Sequence, residues 1–278
     1  MNIKVLRNVL EANDEIAAGN RRLLEDRQVT AINLIGSPGA GKTSLLEKSI
    51  PLLKGHYRIG VLEGDIATTR DSERIETLGV PVVQLLTGGA CHLEAPLVRS
   101  GLEELKLDEI DLLFIENVGN IACPAEFDLG ETVKVGILSV TEGHDKPAKY
   151  PLLFHEVGAL VLSKIDLGPY TDFDQEQFTH DFRQLNHDAP VFQLSCKSGQ
   201  GIEDWLHWIE HVCAGELHME GHVADERGDL EGERRREVDE PAARSYQRRR
   251  ITHGHADLAG IQPHQHPHRH HHRGIAHE

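Results

Sequence analysis

Residues 36–43 read GSPGAGKT and carry the glycines, lysine and threonine of the phosphate-binding pattern G-x-x-x-x-G-K-S/T. Glycines in such a loop let backbone N–H groups curl around phosphate oxygens, and the positive end of the following helix faces the same charge. We expect Lys42 to reach the β- and γ-phosphates and the Thr43 hydroxyl to hold Mg²⁺. The predicted phosphate contacts are Gly36, Ser37, Gly39, Ala40, Gly41, Lys42, Thr43 and Ser44.

Two acidic residues end predicted strands, where a bound Mg²⁺ and an attacking water need carboxylates. Asp65 ends VLEGD, and Glu116 ends LLFIE and begins ENVG, a variant of the usual D-x-x-G. We expect Asp65 or Glu116 to approach the metal and the Gly119 N–H to face the γ-phosphate. The alternative is that either acid caps a helix or faces solvent. The candidate catalytic residues are Lys42, Asp65 and Glu116, with Asp65 the best candidate for a general base.

The segment SKID, residues 163–166, resembles the guanine-reading N-K-x-D motif of G proteins, with Ser163 in place of Asn. The Asp166 carboxylate can accept two hydrogen bonds from the N1–H and N2–H₂ edge of guanine, which adenine lacks. Lys164 would lie along the base. A second base-contacting loop is expected in SCKSGQG, at Ser195, Cys196 and Lys197. The pattern favours GTP over ATP; the alternative is a solvated turn, and the missing Asn predicts a looser loop.

A soft-ligand set is formed by Cys91 and His92, which are adjacent, and by Cys123, which follows ENVG. We expect Cys91 and His92 to start a helix at the end of the strand VPVVQLL. Thiolate and imidazole ligands suit Zn²⁺, Ni²⁺ or copper better than Mg²⁺. Water, Glu94 or the same set from a second subunit would complete the coordination. The alternative is two packing cysteines and a surface histidine.

These residues need elements that bring them together. Residues 4–27 show helical apolar spacing, and seven short apolar runs then alternate with helical stretches. This alternation predicts an α/β fold: a mostly parallel sheet flanked by helices, as in the G domain of P-loop NTPases. The ends of its strands would place the metal ligands on the nucleotide edge. We divide the chain into an N-terminal helix (1–28), the nucleotide domain (29–215) and a tail (216–278).

Composition separates the tail from the domain and excludes several classes of function. All seven Phe, both Trp and all four Cys precede residue 216, so we expect a disordered, charged and His-rich tail. The formal net charge of −16 argues against nucleic-acid binding. No apolar run approaches the ~20 residues of a membrane span. We therefore expect a cytoplasmic protein with neither nucleic-acid nor membrane partners, in which the cysteines are ligands, nucleophiles or packing residues.

The tail has nine histidines between residues 253 and 277. Neutral imidazoles in a flexible chain bind several divalent ions weakly, which suits metal storage. The rival interpretations are an expression tag and a tail without function. The predicted storage ligands are His264, His266, His268, His270, His271 and His272.

Several ordered segments together resemble the HypB family of hydrogenase nickel-incorporation GTPases. They are GSPGAGKTSLLE, EGDIATTRD, GGACHLEAPLV, ENVGNIACPAEFDLGE, LSVTEGHDKPAKYPLLF and KIDLGPYTDFD, and they span most of the predicted domain. The resemblance implies a GTPase of the class of signal-recognition and MinD-like NTPases that dimerises around nucleotide. It further implies Ni²⁺ delivery to the hydrogenase large subunit with a HypA-type partner, through Cys91, His92 and Cys123. No cysteine precedes Cys91, so the Cys-rich N-terminal nickel motif of some members is absent.

The leading hypothesis is thus a GTP-hydrolysing nickel metallochaperone, with GTP, Mg²⁺ and Ni²⁺ as ligands and Zn²⁺ possible at the nickel site. Two rivals remain open. A small-molecule kinase would phosphorylate an acceptor without preferring guanine. A non-enzymatic storage protein would bind metal mainly through the tail. A urease-type nickel GTPase is the nearest relative by mechanism, and the adjacent Cys91 and His92 argue against it.

Overall fold

Seven apolar runs form one parallel sheet in the order β3-β2-β4-β1-β5-β6-β7. The strands are β1 Thr30–Gly36, β2 Ile59–Asp65, β3 Val82–Leu86, β4 Leu112–Glu116, β5 Val133–Ser139, β6 Ala159–Ser163 and β7 Val191–Leu194. The central strands are buried along almost their whole length, because helices cover both faces. The predicted α/β fold with a mostly parallel sheet is confirmed.

The computed structural model describes residues 2–66 and 69–216, and its side chains from residue 10 onward. The helices are α1 Asn2–Asp26, α2 Lys42–Leu53, α3 Arg70–Glu76, α4 Ala95–Glu104, α5 Cys123–Glu126, α6 Lys146–Lys149, α7 Pro151–Glu156, α8 Gln175–Leu185 and α9 Ile202–Cys213. No helix in these ranges is long and apolar enough to cross a membrane. The predicted tail beyond residue 216, with its storage histidines, lies outside the described residues.

Alternate residues of β1 point into cores on opposite faces of the sheet. Ile32 and Leu34 pack with side chains of α2 and α9, whereas Ala31 packs with those of α1 and α4. Ile35 packs with a third cluster, contributed mainly by α7 and α8. The central strand therefore has apolar contacts on both faces, which holds its C-terminal end in a fixed position.

The N-terminal helix α1 is fastened to the domain by polar side chains. The Asn20 amide donates to the carbonyls of Ala95 and Leu129, each at 3.0 Å. The Arg21 guanidinium contacts Asp128 at 2.8 Å. Asn20 is fully buried, so losing its hydrogen bonds would leave the carbonyls of Ala95 and Leu129 without a partner and out of reach of water.

The expectation that Cys91 and His92 start a helix is wrong, because α4 begins only at Ala95. Glu94 is extended at the N-cap, and a proline occupies the first turn of α4. Gly88 and Gly89 have φ values of 64° and 112°, which bend the chain away from helical geometry. Cys91 and His92 therefore lie in the loop between β3 and α4.

Candidate functional site

The phosphate loop joins β1 to α2 and is shaped by two glycines in the left-handed region. Gly39 has φ 76°, and Gly41, the N-cap of α2, has φ 108°. A side chain would be strained at either position. The loop thus directs the N-terminus of α2 into a cavity of about 390 Å³ whose lining includes Lys42, Thr43 and Ser44.

Lys42 is buried at the start of α2, and its Nζ donates to the Gly36 carbonyl at 3.2 Å. Burial lowers the pKa of Lys42, although the nearby Glu116 carboxylate opposes this shift. A buried cation beside a glycine-rich loop is suited to an anionic ligand such as a phosphate chain.

The end of β4 meets the phosphate loop through Glu116. The Thr43 hydroxyl donates to Glu116 Oε1 at 2.7 Å, so these two predicted Mg²⁺ ligands are adjacent. Gly119 follows closely, and a Cβ there would lie 2.9 to 3.0 Å from atoms of Pro38. Only glycine therefore allows this segment to approach the loop, which is where a γ-phosphate sensor is expected.

Three acidic side chains form one wall of the cavity: Glu63, Asp65 and Asp71, with ligand oxygens within 4.8 Å of one another. Sequence reasoning named only Asp65. Period-two alternation in β2 places Glu63 on the same face as Asp65, and this signal could have identified it. Asp71 could not be found in this way, because it comes from α3 and meets β2 only in the folded chain.

Glu63 and Glu116 hold protons unusually tightly. Burial, reinforced by Glu116, raises the pKa of Glu63 to about 8, and burial raises that of Glu116 to about 7. Glu63 Oε2 and Glu116 Oε2 are buried with no hydrogen-bond partner among the described residues. Carboxylate and hydroxyl oxygens gathered in this way fit a hard cation such as Mg²⁺.

Arg74 also lines the cavity and was not predicted. Its guanidinium contacts Glu47 and Asp71, each at 2.7 Å. Arg74 therefore adds a cation on the α3 wall of the cavity, which Lys42 and Lys164 also line.

The two predicted base loops meet at Asp166, which accepts a hydrogen bond from the Ser195 hydroxyl at 2.6 Å. Ser163 donates to the Ala40 carbonyl at 2.5 Å, and Lys164 Nζ donates to the Gly39 carbonyl at 2.6 Å. Ser163 thus fastens the base loop to the phosphate loop although the usual Asn is missing.

The other two residues of the predicted base loop differ in position. Cys196 is partly buried against the core cluster that contains Trp205, so its side chain points away from a base. Lys197 is exposed. A nucleotide contact at Cys196 would therefore involve its backbone.

Cys91, His92 and Cys123 come together as a cluster, which we call the Cys/His cluster. Cys91 Sγ lies 3.1 Å from Cys123 Sγ and 3.7 Å from His92 Nδ1. A tetrahedral ion with bonds of about 2.0–2.3 Å would separate its ligands by roughly 3.3–3.8 Å, so the sulfur–nitrogen distance matches this range and the two sulfurs would have to move apart slightly. The ligand atoms lie within 4.8 Å of one another, so the donor set fits one soft or borderline ion.

Neighbouring side chains orient the Cys/His cluster. The His92 ring packs on Phe127 with centroids 4.0 Å apart, and His92 Nε2 lies 3.5 Å from Glu94 Oε1. The contact with Cys91 raises the pKa of the Cys123 thiol above its usual range. Nδ1 therefore faces Cys91 Sγ, while the Glu94 carboxylate lies near Nε2, which forms no hydrogen bond with the described residues. A short movement of Glu94 would give the carboxylate contact typical of metal-binding histidines.

Comparison with known proteins identifies the family. Residues 30–193 match the family described as CobW/HypB/UreG, nucleotide-binding domain. The hydrogenase maturation factor HypB of Azotobacter chroococcum mcd 1 is 49% identical over 208 residues, covering 75% of this chain and 68% of that protein. The probable hydrogenase maturation factor HypB of Methanocaldococcus jannaschii is 43% identical, covering 75% and 94%.

Among solved structures, HypB from Helicobacter pylori in complex with nickel matches with a TM-score of 0.71 and 35% identity. The match covers 76% of this chain and 99% of that one. The resemblance found in the sequence motifs is confirmed. The chain belongs to the HypB family of hydrogenase maturation factors, within the CobW/HypB/UreG group of nucleotide-binding domains.

Proposed function

We propose that the chain is a GTP-hydrolysing nickel metallochaperone that couples GTP binding, hydrolysis and dimerisation to nickel delivery during hydrogenase maturation. The observation that carries this proposal is the position of the Cys/His cluster. Its third ligand, Cys123, begins α5 only seven residues after Glu116, the carboxylate hydrogen-bonded to Thr43. One short segment therefore serves a phosphate site and a soft-metal site.

The nucleotide chemistry follows from the residues around the cavity. The loop amides and Lys42 bind the phosphates, and Gly119 N–H faces the γ-phosphate. Asp166, oriented by Ser195, accepts from the guanine edge. Thr43, Asp65 and Glu116 would hold Mg²⁺, which when bound neutralises charge on the phosphate oxygens. Positioning of the water by the acidic wall suffices for slow hydrolysis, because phosphoryl transfer needs little covalent participation from the protein.

Nickel is the cargo in this proposal, and the nickel complex of the Helicobacter pylori relative favours it over zinc. Two thiolates and one imidazole leave the coordination incomplete, and a second copy of the chain can complete it. This supports a homodimer. By family membership, the expected partners are a HypA-type nickel accessory protein and the hydrogenase large subunit, in the cytoplasm.

Metal stoichiometry of the full chain tests the proposal. Ni²⁺ and Zn²⁺ binding would be measured with GDP and with a nonhydrolysable GTP analogue, in the wild type and in Cys91→Ala and Cys123→Ala, with Cys196→Ala as the matched control. We expect one class of site to disappear in the first two variants only, and its affinity to depend on the nucleotide. If Cys91→Ala and Cys123→Ala bind as much metal as the wild type, the result would instead favour metal storage by the tail.

Base selectivity is tested separately with Asp166→Asn. An amide presents a donor where the carboxylate accepts, so GTP binding should weaken while xanthosine triphosphate binding should improve. An unchanged preference, or transfer of phosphate to a small-molecule acceptor, would contradict the proposed GTPase.

A further inference from the structure

Asn117, the residue after Glu116, holds the loop that carries the Cys/His cluster. Its Oδ1 accepts hydrogen bonds from the backbone N–H of Leu93 at 3.1 Å and of Val118 at 3.0 Å. Its Nδ2 donates to Asn33 Oδ1 on β1 at 3.3 Å. Asn117 is 1% exposed, so water does not replace a lost bond there.

Asn120, the residue after Gly119, makes a second connection to the same loop. Its Nδ2 donates to the Cys91 carbonyl at 3.3 Å, and its Oδ1 accepts from the Ala122 N–H at 2.9 Å. The backbone of Asn120 also forms a bridge with Gly36 of the phosphate loop. Asn120 thus touches the phosphate loop through its backbone and the Cys/His cluster through its side chain.

The two asparagines connect the phosphate site to the loop between β3 and α4. Glu116, Asn117 and Gly119 line the nucleotide cavity, and the side chains of Asn117 and Asn120 reach that loop. A displacement of residues 116–120 toward a γ-phosphate would therefore pull on Cys91 and Leu93. These bonds reach both sides of His92, so the geometry of the cluster would change with the nucleotide.

We propose that Asn117 and Asn120 are positioning residues that transmit the nucleotide state to the Cys/His cluster, an inference that rests on the proposed function. A ligand shifts an equilibrium only by its differential interaction with two states, and these bonds connect the segment that would respond to the nucleotide with the Cys/His cluster. A net hydrogen bond contributes about 0.5–1.5 kcal/mol, which corresponds to roughly 2- to 13-fold in affinity.

The test is the ratio of Ni²⁺ dissociation constants measured with GDP and with a nonhydrolysable GTP analogue, on the full chain. The wild type is expected to show a ratio clearly different from one, of about 5-fold or more. Asn120→Ala, which removes a partly exposed side chain, should bring the ratio to within about 2-fold of one, with a smaller change in nucleotide affinity. Asn117→Ala should reduce the ratio in the same way.

Asn186→Ala is the matched control. Asn186 donates to the carbonyls of Phe154, His155 and Val157, away from both sites, so its loss also removes several side-chain bonds. It should lower the unfolding temperature and leave the ratio unchanged.

The outcomes separate the inference from the proposed function. A wild-type ratio that differs from one and persists in Asn120→Ala overturns the inference alone. A wild-type ratio of one overturns both. A ratio lost equally in Asn186→Ala would show that general destabilisation, not these contacts, sets the coupling, and would also overturn the inference. If Asn117→Ala does not fold, the ratio measured for Asn120→Ala alone tests the inference.

Discussion

Thr43 and Glu116, 73 residues apart in the chain, are joined by a hydrogen bond of 2.7 Å between the Thr43 hydroxyl and Glu116 Oε1. Both oxygens belong to the set expected to hold Mg²⁺. Because the Thr43 oxygen keeps its lone pairs while its proton is donated to Glu116, it can bind the cation with this bond intact. Cation binding would remove protons from Glu63 and Glu116, whose pKa values are raised.

The raised pKa values of Glu63 and Glu116 predict a pH-dependent stability of the protein without Mg²⁺ and nucleotide. A carboxyl whose pKa is higher in the folded than in the unfolded state stabilises the fold fully below its ordinary value of about 4.5. That stabilisation is lost as the pH rises through about 7 to 8. The unfolding temperature should therefore fall between pH 5 and pH 9.

Glu63→Gln removes one of these titrations. At pH 9 the variant should be more stable than the wild type by about 1 kcal/mol, or roughly 2–4 °C in unfolding temperature for a domain of this size. Scanning calorimetry across the pH range measures this. The exposed Glu76→Gln is the control; equal pH profiles for all three proteins would contradict the prediction.

Replacing Lys42 by alanine should abolish tight nucleotide binding. A charge-assisted hydrogen bond to phosphate contributes about 1.5–3 kcal/mol, so affinity should fall about 10- to 100-fold. Titration with a fluorescent GDP derivative provides the measurement. Lys48 is exposed on the same helix, and Lys48→Ala should bind the GDP derivative with the affinity of the wild type. Similar losses of affinity in both variants would show that the net charge of the protein, rather than a specific contact of Lys42, determines binding.

Ser195→Ala should weaken guanine nucleotides selectively. The variant loses the 2.6 Å bond that orients Asp166, which we expect to reduce GDP affinity about 3- to 10-fold without affecting the phosphate loop. Competition between GDP and inorganic pyrophosphate distinguishes these contributions. Ser198→Ala, in the same loop, is the control, and a parallel loss of pyrophosphate affinity would count against the assigned role of Ser195.

Gly119→Ala should disturb the phosphate loop more than the fold. A methyl group would lie 2.9 to 3.0 Å from Pro38, so the loop must move. We expect at least about a tenfold loss of nucleotide affinity with a modest change in unfolding temperature. Gly55→Ala, where nothing lies within 4 Å of the added methyl, should be neutral; unchanged nucleotide binding in Gly119→Ala would refute the close approach.

Metal should protect two of the four cysteines from alkylation. Cys91 and Cys123 lie 3.1 Å apart at the surface, whereas Cys196 and Cys213 pack against the core. Ni²⁺ or Zn²⁺ should slow iodoacetamide labelling of the first pair only, because a coordinated thiolate is a poor nucleophile. Peptide mass spectrometry resolves each site, and equal protection of all four would indicate a global effect.

Local motifs made much of this molecule predictable. The phosphate loop, the strand ends at Asp65 and Glu116, and the base loop at Asp166 depend on short segments whose chemistry is nearly independent of the rest of the chain. The adjacency of Cys91 and His92 to Cys123 followed from parallel topology, since strand C-terminal ends share one edge.

Other features depend on tertiary contacts that no local sequence pattern indicates. Asn117 and Asn120 belong to the segment ENVGNIACPAEFDLGE. Their hydrogen-bond partners, however, are backbone groups of Leu93 and Cys91 in a different loop. Arg74 faces the cavity only because α3 packs beside β2. Cys91 does not start a helix, because α4 begins at Ala95 with a proline in its first turn and two glycines with positive φ precede Cys91.

The contact between α1 and Gly130 limits how this domain can be divided. Gly130 has φ 90°, and a Cβ there would lie 2.6 Å from the Ala17 carbonyl and 2.7 Å from the Arg21 N–H, so helix and loop touch backbone to backbone. A protein cut at Val29 would expose this surface together with the carbonyls that Asn20 now satisfies. A shortened protein that is to keep the nucleotide domain intact therefore has to keep α1 as well.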